Sequence, residues 1–346
     1  MPRLKPKGVS MVSLEEMRKA IRGEILIAEN LAKYSSYRIG GNADFFIKPL
    51  DKQDVLSAVS FFQKSGIQYV VLGRGSNVLI SDEGIRGAVI SLRENLEKVE
   101  VESEDEEHIY FYVEAGVDLP ELAAKTLKKG YGGLENLSGV PGSIGGAVLM
   151  NAGAYGKEIF EVIEWVEVLR NGKIEKLHKS KIAYRYRGTD LGNDIILSTK
   201  LKLKKLKESE LKIAIEKKKE WMEKRRSSQP LNLPNAGSVF KNPPPDSEGN
   251  PRFAGVMIEA CGLKGLQRGG AQISEKHANF LVNANASAKA SEMLELIDIA
   301  KREVFQKFRV SLELEIKLLG FSQNALKAQE NSFGQTAGNQ TSYLEV

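Results

Sequence analysis

Ser138-Gly-Val-Pro-Gly-Ser-Ile-Gly-Gly-Ala147 is followed three residues later by Asn151-Ala-Gly-Ala-Tyr-Gly156, so one short span holds six glycines and a proline among small residues. Backbone without Cβ atoms can lie flat against a polar, planar ligand, which a run of ordinary side chains prevents. An elaborate loop with a purely structural purpose is the alternative, and it weakens because the pattern is not alone in the chain. Upstream, the apolar run Gln68-Tyr-Val-Val-Leu72 reads as a buried strand and empties into Gly73-Arg-Gly-Ser-Asn77. Glycines there let N–H groups approach a phosphate, and Ser76 and Asn77 add donors; for so short a motif a tight turn with no ligand stays open. Further upstream, Arg38-Ile-Gly-Gly-Asn42 follows Tyr37 at the head of the strand Asp44 to Lys48. Three glycine-rich loops at strand ends imply one large, phosphate-bearing ligand. The spacing is not Gly-x-Gly-x-x-Gly and no helix clearly follows Asn77, which disfavours a dinucleotide-binding βαβ unit.

The elements around these loops mix hairpins, strands and helices, an α+β pattern. Ser13-Leu-Glu-Glu16 is a capping box opening a short helix that ends at Gly23, and Asp51 to Ser65 carries Val55, Val59 and Phe62 at helical spacing and stops at Gly66. The acidic run Glu100 to Glu107 reads as a solvated turn before the strand Ile109 to Val113, and Asp118 caps a helix running to Gly130. Glu161 to Arg170, the turn Asn171-Gly172 and Lys173 to His178 form a hairpin; Asp194 to Leu206 follows as a strand. Glu208 to Arg226 reads as a basic, solvated amphipathic helix with Ile213, Ile215 and Trp221 among its apolar positions. Gln229-Pro-Leu-Asn-Leu-Pro234 breaks it and marks a domain boundary. Helices near Phe253 to Cys261 and from Ala288 to Phe308, and a strand Val310 to Leu319, complete the fold. The domains expected are an N-terminal extension over 1–30, a two-lobed unit over 31–226 (lobes 31–95 and 96–226), a smaller domain over 227–321 and a disordered tail over 322–346.

Composition narrows the function classes. The chain has 346 residues, 42% of them apolar and 27% charged, enough for about two packed domains. No apolar run approaches the length of a membrane span and no signal peptide opens the chain, which reads as cytoplasmic and not inserted in a membrane. The single Cys261 excludes an intramolecular disulfide and a cysteine cluster, and His108, His178 and His277 lack metal-ligand spacing. No metal is expected, and redox chemistry has to use a cofactor. Net charge is +5, but twelve Lys/Arg against five Glu between Lys200 and Arg226 give a local +7 and leave the rest at about −2. Such local basicity is not a nucleic-acid footprint.

Three further residue groups can carry chemistry. Asn235-Ala-Gly-Ser-Val-Phe-Lys-Asn-Pro243 sets Ser238 on a tight turn where it can donate a proton, and Lys241 beside it can pair with an anion; a plain turn serine is the alternative. Tyr184-Arg-Tyr-Arg187 can bind a carboxylate or diphosphate through guanidinium contacts, or lie on a surface strand. In Leu312-Glu-Leu-Glu-Ile-Lys317 the alternation puts Glu313 and Glu315 on one strand face.

Taken together with Gly262-Leu-Lys-Gly265 and Ser274-Glu-Lys-His-Ala-Asn-Phe280, these motifs in this order resemble those of the UDP-N-acetylenolpyruvoylglucosamine reductases (MurB) from about Asn30 to Gly320. The resemblance implies an FAD enzyme of peptidoglycan precursor synthesis that uses NADPH to reduce UDP-N-acetylglucosamine enolpyruvate to UDP-N-acetylmuramate. It implies a two-lobed FAD-binding domain of the vanillyl-alcohol-oxidase-like (PCMH) type, followed by a smaller α+β domain for the UDP-sugar, in a monomer. FAD contacts are then expected from Arg38, Gly40 and Gly41, and from Gly73, Arg74, Gly75, Ser76 and Asn77. Gly139, Pro141, Gly142, Ser143, Gly145, Gly146 and Ala147 supply a second set, and Asn151, Gly153 and Ala154 a third. Ser238 takes the place of the proton donor, Arg185 that of the arginine and Glu315 that of the glutamate, with Tyr184, Lys241 and Asn242 binding substrate. The family pattern is Tyr-Arg-x-Ser; Arg187 stands here in the serine position, so a register with Arg187 as the functional arginine is open, with Arg185 preferred because Tyr184 precedes it. The short segment between Arg185 and Ser238 resembles family members that lack an extra substrate-covering loop. An FAD-dependent oxidase of the same superfamily, acting on an alcohol or sugar, is the alternative.

Overall fold

The computed structural model describes residues 14–322. Ser13 of the capping box and the tail expectation, from residue 323 on, lie outside the described residues. In the first lobe, the strands Asn42–Lys48, Ile85–Ser91 and Tyr69–Leu72 run parallel in that spatial order, with Glu24–Asn30 antiparallel on the outer edge. The helix Lys52–Ser65 is the crossover between two of them: Asp51 accepts from the Asp54 N–H at its start, and Gly66 ends it at φ 65°. Its Val55, Ala58, Val59 and Phe62 are fully buried against the sheet. Gly73–Asn77 then leads into a short strand, Val78–Ile80, and not into a helix.

The second lobe is an antiparallel sheet in the order Lys173–His178, Ile163–Arg170, Ile195–Lys205, His108–Glu114, Val99–Glu104. Arg170 pairs with Lys173 across Asn171-Gly172, both at positive φ, the turn that matches strand twist. The acidic run is a solvated turn only over 105–107: Val99–Glu104 is a fully exposed edge strand, and charges along it leave one unpaired edge unattractive to other strands. Helix Leu119–Lys128 is capped by Asp118, which accepts from the Glu121 N–H at 2.8 Å. The basic helix, Glu208–Ser228, also departs from the expected pattern. Ile213 and Ile215 are 53% and 49% exposed, Ala214 is the residue it buries, and Trp221 stacks on Tyr155 with centroids 5.0 Å apart.

The last domain packs the helices Ala254–Ala260 and Ala290–Phe308 against a meander of Gln267–Arg268, Ala271–Ile273 and Leu281–Asn283. From Val310 the chain is extended but regularly paired only over Lys317–Leu319, which runs parallel to Val78–Ile80 of the first lobe. Tyr37, Ile39 and Leu79 of that lobe are buried in this domain's core. Asp82 adds a polar tie: its carboxylate accepts from the N–H groups of Ala290 at 2.7 Å and Ser291 at 3.0 Å, the start of the long helix. An anion there satisfies orphan donors and the helix dipole. Asp82→Ala is expected to cost about 1 kcal/mol, read by circular dichroism as a melting temperature lower by a few degrees; an unchanged value would make the cap inert.

Candidate active site

Two of the glycine-rich loops face each other. A Cβ on Gly73 would come 2.5 Å from Ser143 Oγ, and one on Gly142, at φ 139°, 3.0 Å from Ser76 Oγ. The side-chain donors expected there are largely spent on protein. Ser76 donates to Pro141 O at 2.9 Å, Arg74 pairs with Asp118 at 2.6 Å, and Ser143 caps the helix Ile144–Leu149. Backbone remains: the N–H groups of Arg74, Gly75, Ser76 and Asn77 have no acceptor among the described residues. Such a row of free donors suits phosphate. Beside the loops, Ser35 Oγ, Ser138 Oγ and Asn151 Oδ1 are buried without a hydrogen-bond partner. Orphaned polar atoms of this kind need an external partner.

The other expected contacts divide by position. Gly41 has no room for a side chain because Asp82 O would sit 2.3 Å from it, and Gly145 packs on Ala115, so both serve close packing. Gly40 lies at φ 144° against Ile80, and Arg38, exposed, sits at φ 57°. Gly139 lies on Met222 and Arg225 of the basic helix. Gly146 N–H donates to the Ser143 cap, Ala147 is buried in the helix that follows, and Ala154 O accepts from Asn136 at 2.8 Å.

Asn151, fully buried, donates to Glu158 at 2.6 Å and to Arg185 O at 3.1 Å, and so ties the second glycine-rich segment to the arginine hairpin. That hairpin pairs Tyr184–Arg185 with Gly188–Thr189, and Thr189 Oγ1 is anchored on Leu149 O at 2.9 Å. Arg187 sits in its turn at φ 57°, a conformation that a turn of this kind ordinarily gives to glycine or asparagine. Its side chain passes beside Gly153 and meets Glu315, Nε to Oε1 2.8 Å, an ion-pair contact too far off line to count as an aligned hydrogen bond. Arg185 is exposed and has no carboxylate partner among the described residues. Tyr184 stacks on buried Phe160 at 4.5 Å.

The segments that carry Ser238 and Glu315 run side by side around the bridge of Phe240 to Leu314, which sets Val239, the neighbour of Ser238, against Glu315. Glu315 N–H donates to Val239 O at 2.8 Å, and Lys241 N–H donates to Glu313 O at 2.9 Å. Buried Asn279, from the Ser274–Phe280 motif, fixes the serine segment by accepting from Val239 and Phe240 and donating to Phe240 O. Ser238, next to Val239 and half-buried, has no hydrogen-bond partner among the described residues. From the other side, Asn77 Nδ2 donates to Glu315 O at 3.1 Å while Asn77 O accepts from Lys317 N–H at 2.9 Å. One loop residue therefore brackets the strand that carries the glutamate. Asn242 Oδ1 caps Ala254 N–H at 3.1 Å.

The charges here are arranged for an anion. Burial holds Glu315 above the usual carboxylate range, and the opposing pull of Arg187 and Lys241 does not cancel it. Lys317 is pushed below the usual lysine range by burial and by the neighbouring charges of Lys241 and Arg185. A buried lysine beside two further cations is relieved by binding a negative group. Lys317 escaped the reading of the sequence, although the alternation that pairs Glu313 with Glu315 puts it on the same face. Among the described residues no group of three or more His, Cys, Asp or Glu could hold a metal, and no helix is long and apolar enough to cross a membrane.

Comparisons with known proteins agree with this geometry. Residues 43–178 match the family model of an FAD binding domain, and 229–319 that of the UDP-N-acetylenolpyruvoylglucosamine reductase C-terminal domain. The UDP-N-acetylenolpyruvoylglucosamine reductase of Chloroherpeton thalassium is 53% identical over 92% of this chain and all of its own length. The protein of that name from Bacillus subtilis is 36% identical over 89% of this chain and 98% of its own length. The chain belongs to the UDP-N-acetylenolpyruvoylglucosamine reductase family. The crystal structure of the family member from Thermus caldophilus superposes with a TM-score of 0.71 at 32% identity, covering 86% of this chain and 99% of the other. This family member is an α+β oxidoreductase with a two-lobed FAD-binding unit. The free N–H row, the orphaned Ser35, Ser138 and Asn151 atoms and the absent Cβ atoms fit the phosphates and flat ring of FAD.

Proposed function

We propose that the chain reduces UDP-N-acetylglucosamine enolpyruvate to UDP-N-acetylmuramate with NADPH, through FAD, in peptidoglycan precursor synthesis. The observation that supports the reading is the pairing of the Ser238 segment with the strand of Glu315, bracketed by Asn77 of a glycine-rich loop and close to the cations Lys317, Lys241 and Arg185. In this reading, the FAD domain spans 31–226 with lobes at 31–95 and 96–226, the UDP-sugar domain spans 227–321, and the protein works as a cytoplasmic monomer. The loops at Arg38–Asn42, Gly73–Asn77 and Ser138–Ala154 hold the cofactor, through backbone N–H groups more than side chains.

Bound there, FAD supplies the hydride that it takes from NADPH. As the methylene carbon of the enolpyruvyl group accepts that hydride, charge builds on the adjoining carboxylate. Arg185, exposed and without a partner, pairs with that carboxylate; Lys317 and Lys241 deepen the positive field. Glu315, held toward its neutral form by burial, donates a hydrogen bond to the charged oxygen, and Arg187 fixes its orientation. Ser238 Oγ delivers its proton to the carbon next to the carboxylate. Tyr184 on the hairpin and Asn242 on the serine segment line the path of the sugar nucleotide.

The visible spectrum tests the reading. Flavin bands are expected to bleach with NADPH and to return, without oxygen, on addition of UDP-N-acetylglucosamine enolpyruvate. Bands that return with oxygen alone would make the protein an oxidase, and a colourless protein that FAD does not reconstitute would end the flavoenzyme reading.

A further inference from the structure

Arg187 suits its own backbone badly. At φ 57° it occupies the left-handed region, which strains a long side chain where glycine or asparagine would sit at ease. Strain of this kind persists when surrounding contacts hold the side chain to a task. Three groups meet at its guanidinium. Nη1 lies where Gly153 of the second glycine-rich segment lacks a side chain, since a Cβ there would come within 3.3 Å of it. The central carbon is 5.0 Å from the ring of Tyr186, and Nε is 2.8 Å from Glu315 Oε1 in the last domain. Arg187 is thus a strut from the second lobe to the last domain, while Arg185 faces a cleft of about 540 Å³ lined by Lys241, Glu313 and Phe253.

A cation and an N–H against one oxygen of a carboxyl decide where the acid carries its proton. Oε1 of Glu315 lies against the guanidinium, so in the neutral acid the hydrogen belongs on Oε2, which accepts no hydrogen bond among the described residues. Burial favours that neutral form against the pull of Arg187 from the hairpin and Lys241 from the serine segment, the two charges that act on Glu315. Lys317, two residues along the same strand, is itself held down by burial, Lys241 and Arg185; Asn77 and Ser238 are neutral.

We propose that Arg187 is a positioning residue for the second half-reaction: held against Glu315 Oε1, it leaves the proton of the acid on Oε2, the oxygen that donates to the substrate carboxylate. The proposal rests on the reaction set out above and names the group that aims its acid. A serine, which the family pattern has at this place, ends well short of the Nε position and cannot make this contact from the same backbone.

The test is anaerobic reoxidation of the full-length, FAD-loaded protein by UDP-N-acetylglucosamine enolpyruvate across a range of pH. Arg187→Ser is expected to slow reoxidation about tenfold where Glu315 is neutral, because the acid is no longer aimed. Its rate should also hold to a pH about one unit higher before it falls, because the ionised carboxylate has lost a cation. Arg187→Lys, which keeps the charge, should restore the wild-type pH profile. In Glu315→Ala, with no carboxyl to hold, adding Arg187→Ser should change the rate less than about twofold. The melting temperature reads the same contact without turnover. That of Arg187→Ser minus wild type should grow more negative from pH 4 to pH 8, since a higher proton affinity in the folded state is lost as stability when pH rises. Arg187→Asn, at ease at φ 57°, repeats the series if serine disturbs the turn. A wild-type rate and pH profile in both short variants, or the same tenfold loss without the Glu315 carboxyl, would overturn the role. Wild-type flavin that NADPH bleaches but the substrate reoxidises at no pH would overturn the reaction itself, before any variant is made.

Discussion

Ser238→Ala is expected to leave reduction of the flavin by NADPH within about twofold of wild type and to slow its reoxidation by the enolpyruvyl substrate about 10³-fold, the middle of the range for loss of a positioned proton donor. The asymmetry follows from where the serine sits. Its hydroxyl has no partner among the described residues, so removing it leaves no buried group unsatisfied and no reason for the loops or the paired segments to move. Val239 and Phe240 stay clamped by Asn279, and Glu315 stays bonded to Val239 O. What is lost is one proton at one carbon, and that proton is needed only when the enolpyruvyl group accepts its hydride. Ser238→Cys, with a more acidic but larger and softer donor, should fall between the two. Anaerobic stopped-flow at 450 nm separates the half-reactions; equal slowing of both would mean that Ser238 shapes the site and donates nothing.

Local chemistry made much of the scaffold legible. Asn171-Gly172 dictates a two-residue turn at positive φ, Asp51 and Asp118 offer side-chain oxygens to free helix N–H groups, and Gly66 allows a left-handed stop. Each of these is decided within a few residues, and each stands where it was expected. The failures share the opposite property. Glu100 to Glu107 looked like a turn throughout because charge suggests solvent, and 105–107 is one, but an edge strand is solvated too, and the pairing of Val99–Glu104 with His108–Glu114 is set by the sheet. Glu208 to Arg226 reads as a solvated amphipathic helix with Ile213, Ile215 and Trp221 as apolar positions; the isoleucines are exposed, and Trp221, Met222 and Arg225 are the side chains that reach the glycine-rich segments. In the site, Ser238 and Glu315 were read from motifs 77 residues apart, and only the backbone bonds between them show that the two segments pair. The division of labour between the two arginines was out of reach of spacing. It depends on a left-handed backbone at Arg187, which turns that side chain inward to Glu315 and leaves Arg185 facing the cleft.

That inward turn sets up the second large effect. Glu315→Ala removes the hydrogen-bond donor to the charged oxygen and is expected to slow flavin reoxidation about 10²-fold, whereas Glu315→Gln keeps the shape and a neutral donor and should retain most of the rate. Burial holds Glu315 above the usual carboxylate range, so the folded protein binds a proton there more tightly than the unfolded chain does. The stability tied to that proton is complete below the ordinary carboxylate range and is lost as pH rises through the raised value. Gln carries no such dependence. The melting temperature of Glu315→Gln minus that of wild type should therefore grow more positive from pH 4 to pH 8, while the wild-type reoxidation rate falls over the upper part of the same window and the variant's stays flat. Arg187 supplies the counter-argument: if its contact at 2.8 Å outweighed burial, wild type would gain on the variant as pH rose. That outcome would make Glu315 an anion at work and would remove it as the donor to the substrate carboxylate, since two carboxylates facing each other repel. Arg185 would then carry the developing charge with Lys317 and Lys241, and Ser238 would be left as the one proton donor in the site.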